Sequence, residues 1–263
     1  MKPASGHPAP DEVDEEILAD PASGHTGFDC LAEPPLCGIR RTQAYLVDHI
    51  KRAALRQLHR SPRGERLLLR MYLMGEAQAV KLHGAWAGEP PAWAAPHIGQ
   101  HVADERHHVA AFTRALKAHG EPAPAACEPD AISRRKIARW QQLARQYAPR
   151  FAQGAFVPIY ATCLCEEQMA VRVLTRHDAV IGVNHPLSPL ISRVLADETR
   201  HVQFCMMMLQ RLVVPPETPT LTALLAKVRA IDAGFGITGA LAMYAAGLCY
   251  RLCPGKRMPA AVG

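Results

Sequence analysis

Two copies of the pattern Asp-Glu-x-x-His constrain this chain more than any other feature. One copy begins at Asp104 and the other at Asp197. With 14 Glu, 13 His and 10 Asp among 263 residues, a shuffled chain would hold about 0.03 such matches, so chance does not account for two. On a helix, positions i and i+3 point the same way one turn apart, so each copy can give one metal two ligands. These candidate ligands are Glu105, His108, Glu198 and His201.

A third candidate ligand lies in the segment 65–85, which has helical periodicity. Glu76 falls within its apolar stripe, in line with Leu69 and Leu73. An acid in such a stripe usually lies at the edge, where its carboxylate reaches water. A cation or a metal ion is the other way to bury it, because an unpaired buried charge is costly. Both interpretations of Glu76 remain open when the segment is taken alone.

The remaining segment with candidate ligands is a helix predicted for residues 158–175, which carries two adjacent acids. If Gln168 and Arg172 mark the side of this helix that faces solvent, Glu166 points inward and Glu167 flanks it. We therefore expect Glu166 to be the ligand and keep Glu167 as the alternative.

The four segments then give carboxylates and imidazoles in a repeated order: Glu, Glu-x-x-His, Glu, Glu-x-x-His. This is the ligand inventory of di-iron and di-manganese helix bundles. Four carboxylates carry −4, which two divalent cations would balance, and an apolar core could not bury the acids otherwise. The predicted ligands are Glu76, Glu105, His108, Glu166, Glu198 and His201, with Glu167 as a further candidate.

Over about residues 65–212, this pattern resembles the ferritin-like non-haem di-iron carboxylate proteins, most closely the p-aminobenzoate N-oxygenase (AurF-like) group. The resemblance implies an all-α fold, a ferritin-like four-helix bundle with flanking helices. It also implies two iron ions, or a manganese–iron pair, with O2 as co-substrate and an external electron donor, either a protein or a small reductant. The expected activity is that of an oxygenase that N-oxygenates or hydroxylates a small or carrier-tethered substrate.

The same resemblance assigns roles to two aspartates and exposes one departure. Asp104 should accept the distal N–H of His201, and Asp197 that of His108. In the N-oxygenase group an extra histidine ligand stands four residues before the last ligand Glu, where this chain has Val194. Instead, His101 stands four residues before Glu105. His101 is therefore either a relocated ligand or a histidine that packs beside the site.

Charge is distributed unevenly along the chain. Residues 1–40 hold eight acids and two bases, a net −6, whereas residues 41–263 hold 28 bases and 16 acids, a net +12. A basic domain suits an anionic small substrate or an acidic carrier protein. The positive charge would also suit RNA as a partner, although we find no nucleic-acid motif.

Composition also bounds the domains. Residues 1–37, rich in Pro, Gly and acids, predict a disordered leader; residues 38–252 predict one helical domain, and 253–263 a basic tail. Eight cysteines without a Cys-x-x-Cys pair or a secretory signal favour reduced thiols in the cytoplasm. Residues 233–250 contain no charge, which predicts a packed or interfacial helix, with membrane association as the alternative. We also expect a homodimer.

Two other functions fit the same ligands. One is a ferritin-like hydroxylase that acts on tRNA, a lipid or a quinone. The other is a non-catalytic iron-storage or peroxide-scavenging protein. Cage assembly would favour the storage function, and a steep salt dependence of RNA binding would favour the tRNA function.

Overall fold

A computed structural model describes residues 28–84, 90–121 and 128–252, and within these residues the chain forms helices and no strand. The all-α prediction is thereby confirmed. The seven α-helices are α1 (Gly38–Leu58), α2 (Pro62–Gly84), α3 (Ala95–Ala118), α4 (Ala131–Tyr147), α5 (Phe156–Ile181), α6 (Ser188–Leu212) and α7 (Thr218–Leu252).

Local sequence signals account for several helix ends. Asp130 caps α4, because its carboxylate accepts the backbone N–H groups of Ile132 and Ser133. Prolines stand in the first turns of α3 and α6, where a missing N–H costs nothing. Gly182 ends α5 at φ +70°, a conformation that favours glycine.

The helices that carry the predicted ligands pack against one another. Helix α2 packs on α3, α5 packs on α6, and α3 also contacts α6. Apolar side chains from all four helices form one buried cluster. It contains Leu69 and Leu73 of α2, Phe112 and Leu116 of α3, Leu174 of α5, and Ile191 and Val194 of α6. Helix α7 lies outside this group, against α1, α4 and α5.

The folded part of the chain begins before residue 38, earlier than composition suggested. Leu31 is fully buried, and the Arg229 guanidinium donates hydrogen bonds to the carbonyls of Cys30, Leu31 and Ala32. The rest of the predicted leader, residues 1–27, and the basic tail, residues 253–263, lie outside the described residues.

Helix α7 is longer than the uncharged segment 233–250 that the sequence singled out. Its first half buries Leu221, Leu224, Leu225 and Val228 at helical spacing. Its second half leaves apolar side chains exposed, with Leu241 at 52% and Leu252 at 75%. Within the described residues, this is the one helix long and apolar enough to cross a bilayer, at a mean hydropathy of 1.3. Length and composition alone are weak evidence for a span.

Candidate metal centre

Side chains from α2, α3, α5 and α6 meet in two overlapping groups of potential metal ligands. The first group is His101, Glu105, Glu167 and His201, and the second is Glu76, Glu105, His108 and Glu198. Within each group, the ligand-type atoms all lie within 4.8 Å of one another. Glu105 belongs to both groups, so the two positions are adjacent.

In the first group, imidazole nitrogens point at carboxylate oxygens from three helices. His101 Nε2 lies 3.3 Å from Glu105 Oε1 and 3.2 Å from Glu167 Oε1. His201 Nδ1 lies 3.2 Å from Glu105 Oε1 and 3.6 Å from Glu198 Oε2. Because Glu198 also reaches His108 in the second group, it can serve both positions, as Glu105 can.

The second group repeats this geometry around His108. Its Nδ1 lies 3.2 Å from Glu76 Oε2 and 3.3 Å from Glu198 Oε1. The side chain of Glu76 is only 11% exposed, so this acid is buried among the other ligands and is not at the edge of the stripe. His108 and His201 both turn Nδ1 toward the carboxylates, which gives the centre an approximate twofold symmetry.

The acid that α5 contributes is Glu167, and the expectation that Glu166 points inward was wrong. That expectation took Gln168 as a marker of the solvent side. Gln168 is instead 8% exposed, and its amide donates to the Leu31 carbonyl. Because the Gln168 side of α5 is covered by another part of the chain, it is Glu167 that faces the other candidate ligands. Glu166 lies outside both groups. Burial raises the pKa of Glu166 to about 7, while nearby Lys136 favours its ionised form.

Both aspartate contacts implied by the resemblance are present. Asp197 Oδ2 lies 3.1 Å from His108 Nε2, and Asp104 Oδ2 lies 3.4 Å from His201 Nε2. In each case the aspartate comes from the other Asp-Glu-x-x-His helix. A carboxylate that accepts the Nε2 proton leaves the Nδ1 lone pair directed into the centre. Arg200 joins the pair from the surface, 2.7 Å from Asp197 and 3.5 Å from Asp104.

The carboxylates compete for protons in the metal-free protein. Burial, followed by the neighbouring acids, raises the pKa of Glu76 and Glu167 well above its usual range. Burial also opposes ionisation of Glu105, but the adjacent imidazoles of His101 and His201 lower its pKa to about 2. Adjacent acids with pKa values pushed apart in this way share protons, because like charges so close cannot all ionise.

The histidines respond to the same charges. Burial disfavours the cationic form of His108, but Glu198 and Glu76 outweigh burial and raise its pKa to about 11. Glu105 and Glu198 likewise raise the pKa of His201 to about 9 against burial. These histidines hold protons where a divalent cation would otherwise balance the carboxylates, and a bound metal would displace those protons.

The donor set fits two metal ions. Glu105 Oε2 is buried without a hydrogen bond within the described part of the chain, and His201 Nδ1, although 3.2 Å from Glu105 Oε1, lacks the alignment for one. Buried polar atoms are rarely left unpaired, and a metal ion at each position would satisfy both. Four carboxylates with two or three imidazoles suit iron or manganese better than structural zinc, which favours thiolates and a closed tetrahedron.

His101 lies within the first group of ligands. It is 2% exposed, and its ring packs against that of His201 at a centroid distance of 3.9 Å and an interplanar angle of 32°. Burial lowers its pKa, which keeps the imidazole neutral and able to donate a lone pair. Phe204 closes the outer side of this ring with an edge contact at 5.5 Å and also contacts Tyr160. No sequence motif indicated that Phe204 would cover His101.

Comparisons with protein-family models, with curated proteins and with solved structures gave no match.

Proposed function

We propose that α2, α3, α5 and α6 form a ferritin-like four-helix bundle that carries a di-iron centre, and that the protein is an O2-dependent oxygenase. The observation that supports this most strongly is the convergence of Glu76, two Glu-x-x-His pairs and Glu167 in one buried place. That is the ligand inventory of the di-iron carboxylate bundles. The resemblance to the AurF-like N-oxygenases supports the oxygenase branch.

Six side chains would hold the two ions, with His101 as a seventh candidate. When bound, the iron pair supplies the redox chemistry that activates O2. The side chains of this protein set the geometry. Glu105 and Glu198 contact ligand candidates of both groups, whereas Glu167 belongs to the first group and Glu76 to the second. The proposed ligands are Glu76, Glu105, His108, Glu167, Glu198 and His201.

Residues around the ligands would fix orientation and exclude water. Asp104 and Asp197 hold the Nε2 protons of the two motif histidines, which fixes their tautomers. Phe112 and Phe204 supply apolar cover, Phe112 being fully buried one turn beyond His108.

The substrate class follows from charge and from the resemblance. The positive balance of residues 41–263, 28 bases against 16 acids, favours an anionic substrate, such as an aryl amine that bears a carboxylate or an acyl group on an acidic carrier. Electrons would come from a separate protein or a small reductant.

The test is oxygen incorporation into a defined probe. Protein loaded anaerobically with Fe2+ and reduced should, after 18O2 is added, convert p-aminobenzoate to a product that carries the label, detected by mass spectrometry. Glu167→Ala should abolish the reaction and Glu166→Ala should retain it. O2 uptake with no labelled product from aryl-amine or carrier-bound probes would contradict the oxygenase proposal. Iron accumulating far beyond two ions per chain would instead indicate storage.

A second candidate, a hydroxylase acting on a lipid or quinone, is favoured by α7. Its second half exposes an uncharged apolar stripe that includes Ile237, Leu241 and Leu252. Such a surface could hold the protein at a bilayer that contains the substrate. Co-sedimentation with vesicles, abolished by Leu241→Glu, would support this candidate, and its absence would remove it.

A further inference from the structure

A second group of imidazoles surrounds Glu65, away from the centre described above. We propose that it is a separate site for one divalent ion such as Zn2+ or Co2+. Its ligands would be His59, Glu65 and His185, with His119 as the fourth. The proposal does not depend on the proposed oxygenase function.

The ligands come from elements distant in sequence that converge at helix ends. His59 follows α1, Glu65 lies in the first turn of α2, His119 follows α3, and His185 lies in the loop between α5 and α6. A bound ion would therefore tie together five of the seven helices.

The distances match those between ligands of one small cation. Glu65 Oε1 lies 3.1 Å from His59 Nδ1 and 3.2 Å from His185 Nε2. The ligand-type atoms of these three residues are all within 4.8 Å of one another. The other carboxylate oxygen, Glu65 Oε2, lies 3.2 Å from His119 Nε2. Donors about 2 Å from a tetrahedral ion are separated by roughly 3.3 Å. The nitrogens of His59 and His185 lie at about this separation from Glu65 Oε1.

The hydrogen bond on the far side of His119 prepares it as a ligand. Its Nδ1 lies 2.8 Å from the Ala115 carbonyl and must donate to it. A neutral His119 then turns the lone pair of Nε2 toward the Glu65 carboxylate, an arrangement that repels unless a proton or a cation lies between. A backbone carbonyl that accepts the distal N–H is the usual support of a metal-bound histidine.

His59 has comparable support from buried residues. Its Nε2 lies 2.7 Å from His177 Nε2, and His177 Nδ1 lies 2.7 Å from the Tyr72 hydroxyl. Burial, with His59 and His185 nearby, lowers the pKa of His177 to about 3, so this ring is neutral. His59 can therefore donate through Nε2 to His177, which donates to Tyr72. This order leaves the His59 Nδ1 lone pair facing Glu65.

His185 is the ligand that must rearrange. The backbone N–H of Leu187 donates to its Nδ1 at 3.2 Å, so in the metal-free protein its Nε2 proton points at Glu65. Binding through Nε2 moves the proton to Nδ1 and ends the contact with Leu187. Both residues lie between α5 and α6, at the N-terminus of α6, where no ladder of helical hydrogen bonds has to be broken.

The site is open to solvent on one side. A cavity of about 290 Å³ adjoins it, lined by Arg56, His59, Arg60, Val180, Ile181 and His185. The side chains of Glu65 and His185 are 17% and 22% exposed, so an ion can reach them. Three nitrogens and one carboxylate form a borderline donor set, which suits Zn2+ or Co2+ in four-coordinate geometry.

The experiment disables the proposed di-iron centre by substitution and then titrates the protein with Co2+. A full-length, metal-free Glu105→Ala/Glu198→Ala protein should bind one Co2+ per chain, seen by the visible bands of a four-coordinate ion, and release it to one equivalent of Zn2+. Adding Glu65→Gln or His59→Gln should weaken binding by about 100-fold or more, and His177→Gln by about 10- to 100-fold. His49→Gln, a control at an exposed histidine of α1, should change nothing.

Two outcomes would overturn the proposal. Either no Co2+ binds to the folded Glu105→Ala/Glu198→Ala protein, or it binds equally well after Glu65→Gln. If the double variant does not fold, the wild-type protein serves, since it should bind one more divalent ion per chain than the Glu65→Gln protein does. Because the protein of the first titration lacks the two carboxylates that both positions of the proposed di-iron centre share, failure of the oxygenase function would not alter its result.

Discussion

The two groups of ligand-type side chains differ in the ratio of carboxylate to imidazole. The centre between α2, α3, α5 and α6 combines four glutamates with three histidines, and its members are almost completely buried. The group at the helix ends combines one glutamate, Glu65, with four histidines that contact it or one another, and three of its side chains are 17–22% exposed.

This difference determines what each group needs for stability. Four buried carboxylates cannot all ionise without cations, so the central group requires two divalent ions or several retained protons. Protons on the facing imidazole nitrogens can balance the single carboxylate of Glu65 in place of a metal ion, as the lowered pKa of Glu65, caused first by its hydrogen bond with His59, indicates. Metal should therefore be integral to the central group and optional in the peripheral one.

The two adjacent acids of α5 should differ most in their effect on iron binding. Glu167→Ala should remove about one iron ion or more per chain, because it opens the first group of ligands. Glu166→Ala should leave iron content unchanged, since this side chain lies on the Lys136 side of the helix. Iron per chain, measured by mass spectrometry after reconstitution, checks both. Loss of iron from Glu166→Ala alone would reverse the assignment.

A smaller loss should follow removal of a carboxylate that orients a ligand. Asp197→Ala should weaken iron binding by roughly 10- to 100-fold, because His108 loses the acceptor of its Nε2 proton. Asp178→Ala is the matched control, because its carboxylate contacts Ser192 and no candidate ligand of the centre. Equal affinities of the two variants in a competition assay with a chelator would contradict the role of Asp197.

His101 should influence the properties of the centre and leave its occupancy intact. His101→Ala should retain both ions, because the six other ligands remain, yet alter the absorption spectrum of the iron-loaded protein and its rate of reaction with O2. Added imidazole should partly restore both. An unchanged spectrum and rate would mean that His101 only packs beside the ligands.

The smallest expected effect concerns the peripheral group in metal-free protein. The pKa of His177 is about 3 when folded and about 6.5 when unfolded. Its neutral form thus contributes stability that is complete above pH 6.5 and is lost as the pH falls toward 3, by a few kcal/mol. The free energy of unfolding of wild type should fall more between pH 7 and 4 than that of His177→Gln. Identical slopes would contradict this pKa.

The sequence predicted the central group better than the peripheral one. The Asp-Glu-x-x-His copies place their candidate ligands by helix periodicity alone, so the prediction of Glu105, His108, Glu198 and His201 as one group needed no knowledge of packing. The choice on α5 failed because it depended on tertiary contacts: residue Leu31, assigned to a disordered leader, covers Gln168. A polar side chain buried by a distant segment leaves no periodic signal.

The peripheral group carried no pattern that could be recognised. Its proposed ligands are single residues at positions 59, 65, 119 and 185, brought together only because the ends of five helices converge. The first half of α7, in contrast, was predictable, since Leu221, Leu224, Leu225 and Val228 repeat at helical spacing.

We propose that the buried glutamates and histidines of the central group hold two iron ions, a number that the iron content of the protein measures. Wild-type protein reconstituted anaerobically with Fe2+ and then desalted should contain two iron ions per chain. The Glu105→Ala/Glu198→Ala protein, with folding verified by circular dichroism, should contain less than one, because both shared carboxylates are gone. Retention of two iron ions by the double variant, or fewer than one in wild type, would contradict the account.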